Sequence, residues 1–231
     1  KMGKKIGILQ PNYIPWKGVF EMINKVDTFV ILDDVQYTKN DWRNRNKIKT
    51  VNGSEWITVP VLQKNSHNMK IYEAEIDNRY NWQRKHYNAF ITNYSKAPFF
   101  KMYKWILEDL YIEKKWNNIA EVDIYAIKSI CKLLDIQTEI ILSREVGGEG
   151  AKEDRVIDIC KKLNAKLYIT GPAAKDYIEP NNFLKNGINL EYMEYNYSEY
   201  KQLYEPFDHY VTVLDVLFNC GEEAKKYILK K

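Results

Sequence analysis

Two arginines, Arg43 and Arg45, stand two residues apart in the stretch Asp41-Trp42-Arg43-Asn44-Arg45-Asn46-Lys47. A guanidinium fork grips phosphate or carboxylate through two parallel hydrogen bonds. In an extended chain the two arginines share one face, and Asn44 and Asn46 take the other. Trp42 offers a plane on which a base or sugar ring can stack. Closer to the N-terminus, Gln10, Asn12 and Tyr13 make a polar turn suited to positioning a carbonyl or a sugar. The adjacent acids Asp33 and Asp34 can orient an amine or hydroxyl, or take its proton if the carboxyl pKa is raised. A third group, Arg144, Lys152 and Arg155, surrounds Gly147-Gly148-Glu149-Gly150, whose backbone N–H groups can meet an anion ahead of a helix. This chemistry points to a phosphorylated or nucleotide-linked small molecule. The plainer alternatives are a solvated basic loop and an acid that only caps a turn.

These groups need elements to carry them. Ile6–Leu9 reads as an apolar strand, followed by the turn Gln10–Pro15 and an amphipathic helix with Trp16, Val19, Phe20 and Ile23 at helical spacing. Thr28–Leu32 is a second strand, ending at Asp33. Strand, turn, helix and strand within about 30 residues is the size of a βαβ unit, whose parallel strands offer a ligand site beyond their carboxyl ends. Asn52-Gly53 predicts a hairpin turn between Asn46–Val51 and Trp56–Leu62. Residues 63–70 read as an exposed loop and Ile71–Ile76 as a strand. Helices fill 80–135, divided at Pro98. Strand patterns return at Gln137–Leu142, Lys166–Thr170 and Ile188–Tyr195, with 143–150 as a loop and Lys152–Leu163 as a helix. The expected class is α/β, a mostly parallel sheet flanked by helices, with a helical middle region. The expected organisation is an N-terminal βαβ unit with basic loop and hairpin over 1–79, a helical region over 80–135 and a C-terminal α/β part over 136–231. These form one compact domain or two closely packed lobes.

Composition narrows the function classes. The 231 residues are 45% hydrophobic, enough for a core and against disorder. The net charge of +4 equals the excess in 36–49, where Lys39, Arg43, Arg45, Lys47 and Lys49 face only Asp41. A concentrated patch fits a small anion site better than a nucleic-acid surface, which spreads over a face. Cys131, Cys160 and Cys220 have no metal-site spacing and read as core residues of a reducing compartment. His67, His86 and His209 form no cluster, so no metal is expected. Neither a signal peptide nor a run of membrane-spanning length is visible, which predicts a cytoplasmic protein. Lys1 ahead of Met2 reads as a remnant.

Longer motifs carry a resemblance. Gln10-Pro11-x-Tyr13-x-Pro15-Trp16-x-Gly18-x-Phe20, Asp27-x-Phe29-Val30-x-Leu32-Asp33-x-Val35-Gln36-Tyr37, Arg43-Asn44-Arg45-Asn46-Lys47-Ile48-Lys49 and Trp56-Ile57-Thr58-Val59-Pro60-Val61 resemble the WbqC-like protein family. So do Gly171 with Tyr177 six residues on, Phe183-x-x-x-Gly187-Ile188 and Leu214-Asp215-x-Leu217-Phe218-Asn219-x-Gly221. The resemblance implies a place among proteins of O-antigen and other surface-glycan synthesis. It adds Trp16, Gln36, Gly171 and Tyr177 to the substrate-binding candidates. More distantly, the opening is similar to pantothenate-synthetase-like nucleotidyl transferases, which place histidines in the turn after the first strand. Gln10, Asn12 and Tyr13 stand there instead, so this likeness implies an analogous cleft rather than adenylyl transfer.

The function expected is acyl or aminoacyl transfer to an amino group of a nucleotide-linked sugar. No tightly bound cofactor is called for; a nucleotide or acyl-thioester cosubstrate and an acyl-carrier protein are the implied partners. A non-catalytic nucleotide-sugar-binding or scaffold protein and an RNA-binding protein stand as alternatives. The oligomeric state is not legible.

Overall fold

The computed structural model describes residues 3–63 and 68–229. Residues 64–67, half of the loop expected over 63–70 and including His67, lie outside the described residues, as do Lys1, Met2, Lys230 and Lys231.

Five parallel strands form the central sheet: β1 (Lys4–Leu9), β2 (Thr28–Ile31), β5 (Glu139–Leu142), β6 (Ala165–Thr170) and β7 (Asn189–Tyr192). Their spatial order is β5-β2-β1-β6-β7. The chain therefore grows outward from β1 in one direction and later returns to β1's other side. Helix α1 (Lys17–Lys25) makes the first crossover, and α6 (Glu153–Lys162) precedes β6. The strands show why both faces are covered. In β2, Val30 packs with Ile6, Ile8, Ile159 and Phe183 on one face. Its neighbours Phe29 and Ile31 enter a larger core with α1 and the helical middle. Period-two alternation with apolar residues on both sides is what a buried parallel strand requires.

The helical middle comprises α2 (Trp82–Tyr94), α3 (Phe100–Glu108) and α4 (Ile119–Leu133). Phe90, Ile106 and Ile127 from these helices join Phe29, Ile31 and Ile169 of the sheet in one core, so the helices cover that sheet face. Pro98 lies between α2 and α3. The helices α8 (Val213–Cys220) and α9 (Ala224–Ile228) close the chain against α3 and α1. No described helix is long and apolar enough to cross a membrane.

Some local expectations change. The hairpin β3 (Arg45–Thr50) and β4 (Gly53–Thr58) forms its own two-stranded antiparallel sheet, so the basic stretch 36–49 ends as a strand from Arg45 onward. Ile71–Ile76 is not a strand. Ile71–Glu73 is a short 3-10 turn, because the Ile71 and Tyr72 N–H groups donate to the Val35 and Asp33 carbonyls and Ala74 N–H donates back to Ile71. The 143–150 loop begins with a one-turn helix, α5 (Ser143–Val146), where Glu145 accepts from the Leu142 N–H at 3.2 Å. Phe183 lies in a short helix, α7 (Pro180–Leu184), followed by Gly187 at φ +74°.

Candidate functional site

A cleft of about 1190 Å³ opens where β1 and β6 part, at the carboxyl ends of both strands. This is the topological switch point, where the loops leaving two adjacent parallel strands run in opposite directions and leave a crevice. Its floor is apolar, with Ile8, Leu9, Tyr168 and Phe183. Its walls carry four cations, Arg43, Lys70, Lys152 and Arg155, against two carboxylates, Asp34 and Glu153.

The β1 turn forms one wall, and the hairpin braces it. Tyr13 N–H donates to the Trp42 carbonyl at 2.8 Å. Asn46 Nδ2 donates to the Tyr13 and Ile14 carbonyls at 2.9 and 3.0 Å. These bonds hold Ile14 at φ +34°, a conformation that costs a β-branched residue on the order of 1–3 kcal/mol. The result presents Gln10, Asn12 and Arg43 to the cleft. The Arg43 guanidinium donates to Gln10 Oε1. Its Nε and the Oδ1 of Asn12 are buried without a hydrogen-bond partner. Burial lowers the Arg43 pKa, and the nearby carboxylates Asp41 and Asp123 work in the opposite direction.

The end of β2 forms the opposite arrangement. Asp34 lines the cleft and receives Arg155 at 2.9 Å and Ser143 Oγ at 2.7 Å. Burial opposes its ionisation, but the bonds from Arg155 and Ser143 outweigh burial and hold its pKa below the usual carboxylate value. Asp33 is wholly buried and pairs with Arg144 at 3.1 Å, while the Arg144 guanidinium lies 4.3 Å from the Tyr72 ring centre. These contacts tie β2 to β5 and α6. They also make Asp34 a standing carboxylate rather than a base of raised pKa.

The Gly-rich segment supplies the cleft's far rim, with Gly150, Ala151 and Lys152 before α6. Lys152 sits at φ +53°, ψ −126°, a strained backbone for a residue with a side chain. In the first turn of α6, Glu153 accepts from the Glu179 N–H and from Asn182 at 2.8 and 2.7 Å.

A sequence profile of the WbqC-like protein family matches residues 10–227, spanning both walls of this cleft. The chain belongs to the WbqC-like protein family. That family is linked to polysaccharide gene clusters. The chain is also 40% identical over 226 residues to the uncharacterised protein Rv1507c of Mycobacterium tuberculosis (strain ATCC 25618 / H37Rv), covering 97% of each chain. No solved structure matches it significantly.

In this WbqC-like protein the sequence-derived candidates divide. Gln10, Asn12, Asp34, Gln36, Trp42, Arg43, Lys152, Arg155 and Tyr177 line the cleft. The others lie elsewhere. Tyr13 is turned into the core, donating to His86 Nδ1 at 2.7 Å and bonded to the Tyr111 hydroxyl. His86 Nε2 donates to the Thr58 carbonyl at 2.9 Å, and burial lowers the His86 pKa to about 4, so the ring is neutral. Trp16 packs edge-on against Tyr195 and Tyr197. Asn44 is buried and donates to the Val59 carbonyl. Arg45 lies 4.0 Å from the centre of the Trp56 ring, with Lys47 at 5.1 Å, and neither lines the cleft. Arg144 is held by Asp33, and Gly171 lies just past the end of β6. Arg43 and Arg45 thus take different environments.

Lys70 and Glu153 of the cleft walls were not among the sequence candidates, and neither were three residues around the cleft, Ser143, Tyr37 and Asp123. Ser143 joins the acid pair only because β5 lies beside β2. Tyr37 is buried, and its hydroxyl has no partner. Asp123 is wholly buried on α4, and neither carboxyl oxygen has a partner. Each such orphaned group costs about 1–3 kcal/mol. One signal pointed to Asp123. It shares a helical face with Ile127 and Ile130, a single acid on an apolar stripe.

Proposed function

We propose that this WbqC-like protein is a transferase of surface-glycan biosynthesis, working in the cytoplasm, that binds a nucleotide-linked sugar in the cleft and acylates the sugar's amine. The observation that carries the reading is the cation-lined cleft of about 1190 Å³ at the sheet's switch point. Crevices of this kind take nucleotides, and pockets of this scale take ligands of nucleotide-sugar size. Arg43 meets the diphosphate, its fork fixed from behind by Gln10. Lys152 adds charge from the opposite rim. Trp42, half-exposed at the cleft edge, stacks on the base or sugar.

In the transfer, the amine nitrogen attacks the carbonyl carbon of an acyl or aminoacyl thioester. The C–N bond forms, the C–S bond breaks, and the amine's surplus proton leaves with the thiolate. Asp34, kept ionised by Arg155 and Ser143, orients the amine. Direct transfer fits the cysteines: Cys131, Cys160 and Cys220 are all buried, and burial pushes each thiol up to about 12, far from a ready nucleophile.

The test is incubation with a panel of nucleotide-linked amino sugars and acyl-coenzyme A thioesters, followed by mass spectrometry of the sugar and assay of free thiol. Stoichiometric acyl-sugar and thiol support the reading. The locked state of Asp34 favours a second one, a nucleotide-sugar-binding protein without chemistry. Tight binding with no product for any donor, loaded acyl-carrier protein included, establishes that second reading instead.

A further inference from the structure

Behind the cleft wall lies a group of polar side chains that makes no bonds within itself. Asp123 on α4, Tyr37 after β2 and Arg43 before β3 come from three segments far apart in sequence. All three are nine-tenths or more buried. Both carboxyl oxygens of Asp123, the hydroxyl of Tyr37 and the Nε of Arg43 lack hydrogen-bond partners. Asp123 and Arg43 influence each other's ionisation, yet no ion pair forms between them. Tyr37 feels both. Asn12, on the β1 turn, contributes another buried orphan, its Oδ1. Arg43 and Asn12 also line the cleft, so the group adjoins the site already described.

Four side chains beside one cleft that each carry a buried, unpaired polar atom are not explained by folding, since each such atom costs stability and none offsets another. They are complementary to something that brings its own donors and acceptors. Arg43 Nε–H and the Tyr37 hydroxyl donate. The Asp123 carboxyl and Asn12 Oδ1 accept. The charge of the occupant follows from the same residues. A cation would meet the Arg43 guanidinium, and the mixture of donors and acceptors suits a group that carries both, so a neutral group with mixed polarity fits.

We infer that Asn12, Tyr37, Arg43 and Asp123 form an inner subsite that receives the uncharged, hydroxyl- or amide-bearing sugar of the substrate, while the phosphates stay in the outer cleft. Resting on the nucleotide-sugar reading, this divides the ligand in two. The outer cleft binds the nucleoside diphosphate that all such substrates share. The inner subsite reads the sugar and sets which one is accepted. Burial raises the Asp123 pKa well above the usual carboxylate value, so the acid is neutral and offers both an acceptor and a donor, as an amide does.

The experiment is a binding titration of the full chain against UDP-, GDP- and dTDP-linked sugars, each paired with its parent nucleoside diphosphate. At least one sugar conjugate should bind tenfold or more tightly than its parent. Asp123→Val and Tyr37→Phe should erase that preference and leave nucleoside diphosphate affinity within twofold. Asp123→Asn, which keeps an acceptor and a donor, should retain most of it. Thermal melts of the same variants separate lost selectivity from lost fold. A preference that survives both Asp123→Val and Tyr37→Phe overturns the inner subsite and leaves the outer cleft standing, as does equal affinity for every conjugate and its parent. Failure of every nucleotide to bind the wild type overturns the nucleotide-sugar reading, and the subsite with it.

Discussion

Asp215 on α8 and Asp123 on α4 are both wholly buried, and their surroundings are opposites. Asp215 accepts from the Tyr94 hydroxyl at 2.8 Å, the Tyr200 hydroxyl at 2.6 Å and Gln202 Nε2 at 3.0 Å. These bonds pin α2 and the segment before α8 into one unit. Burial still raises the Asp215 pKa, but three donors pull against it. Asp123 has no donor at all, and only the field of Arg43 works against its burial. A buried acid that builds structure is saturated with bonds. One that builds none is a cost, and here that cost sits beside the cleft. The cleft repeats the contrast in its arginines. Arg155 is paired closely with Asp34 at 2.9 Å, whereas Arg43 meets the Asp41 carboxylate only at 3.9 Å.

The largest effect should come from the saturated side. Asp215→Ala leaves the buried Tyr94 and Tyr200 hydroxyls without their acceptor, while Gln202 keeps its bond to the Asp208 carbonyl, and should lower unfolding free energy by about 3–5 kcal/mol in urea denaturation. A loss under about 1 kcal/mol would mean the bonds around Asp215 do not organise the core. Next, Arg155→Ala strands the partly buried Asp34 carboxylate. Because both side chains keep some solvent contact, the loss expected is nearer 1–2 kcal/mol. No change in melting would undo the contrast between the two arginines.

The two acids of the cleft region sharpen the comparison through pH. The Asp34 pKa is lowered in the fold, so its contribution is present above its unfolded pKa near 4 and is lost as pH falls through the folded value. Asp34→Asn should therefore cost stability at pH 7 and little at pH 2. The Asp123 pKa is raised, so its sign is reversed: stability is lost as pH rises above about 4, because only the unfolded chain releases that proton. Asp123→Asn should match the wild type near pH 3 and exceed it at pH 7, the gap growing by about 1.4 kcal/mol per pH unit at most. Parallel stability–pH curves for Asp123→Asn and the wild type would show that Asp123 is ionised or partnered in the fold. The smallest effect belongs to the thiols. Each single Cys→Ala variant should leave transfer activity within about twofold, and a variant that abolished it would reinstate an acyl-cysteine route.

The sheet was legible because parallel buried strands leave continuous apolar runs, as at Thr28–Ile31 and Ala165–Thr170. The cleft wall was legible wherever a residue's role follows from its strand end, as for Gln10, Asn12 and Asp34. Tyr13 was not, since strained Ile14 turns the chain and sends its neighbour toward His86. Nor was the parting of Arg43 from Arg45. Strand β3 begins at Arg45, and Trp56 of β4, paired with Lys47, draws Arg45 onto its ring, while Arg43 remains in the turn against Gln10. Asp123 stands 80 positions beyond Arg43, and only packing of α4 beneath the cleft brings them within electrostatic reach.

That parting of two arginines in one short motif gives the most direct test. The dissociation constant of the best-bound nucleotide sugar should be measured for Arg43→Ala and Arg45→Ala beside the wild type, with melts to confirm folding. Loss of a charge-assisted diphosphate contact at Arg43 should weaken binding by on the order of a hundredfold, whereas Arg45→Ala should change it by less than about threefold, as befits an arginine that stacks on Trp56 and does not line the cleft. Equal losses at the two positions, or a larger one at Arg45, would contradict the cleft as the nucleotide site and move recognition to the Trp56 face.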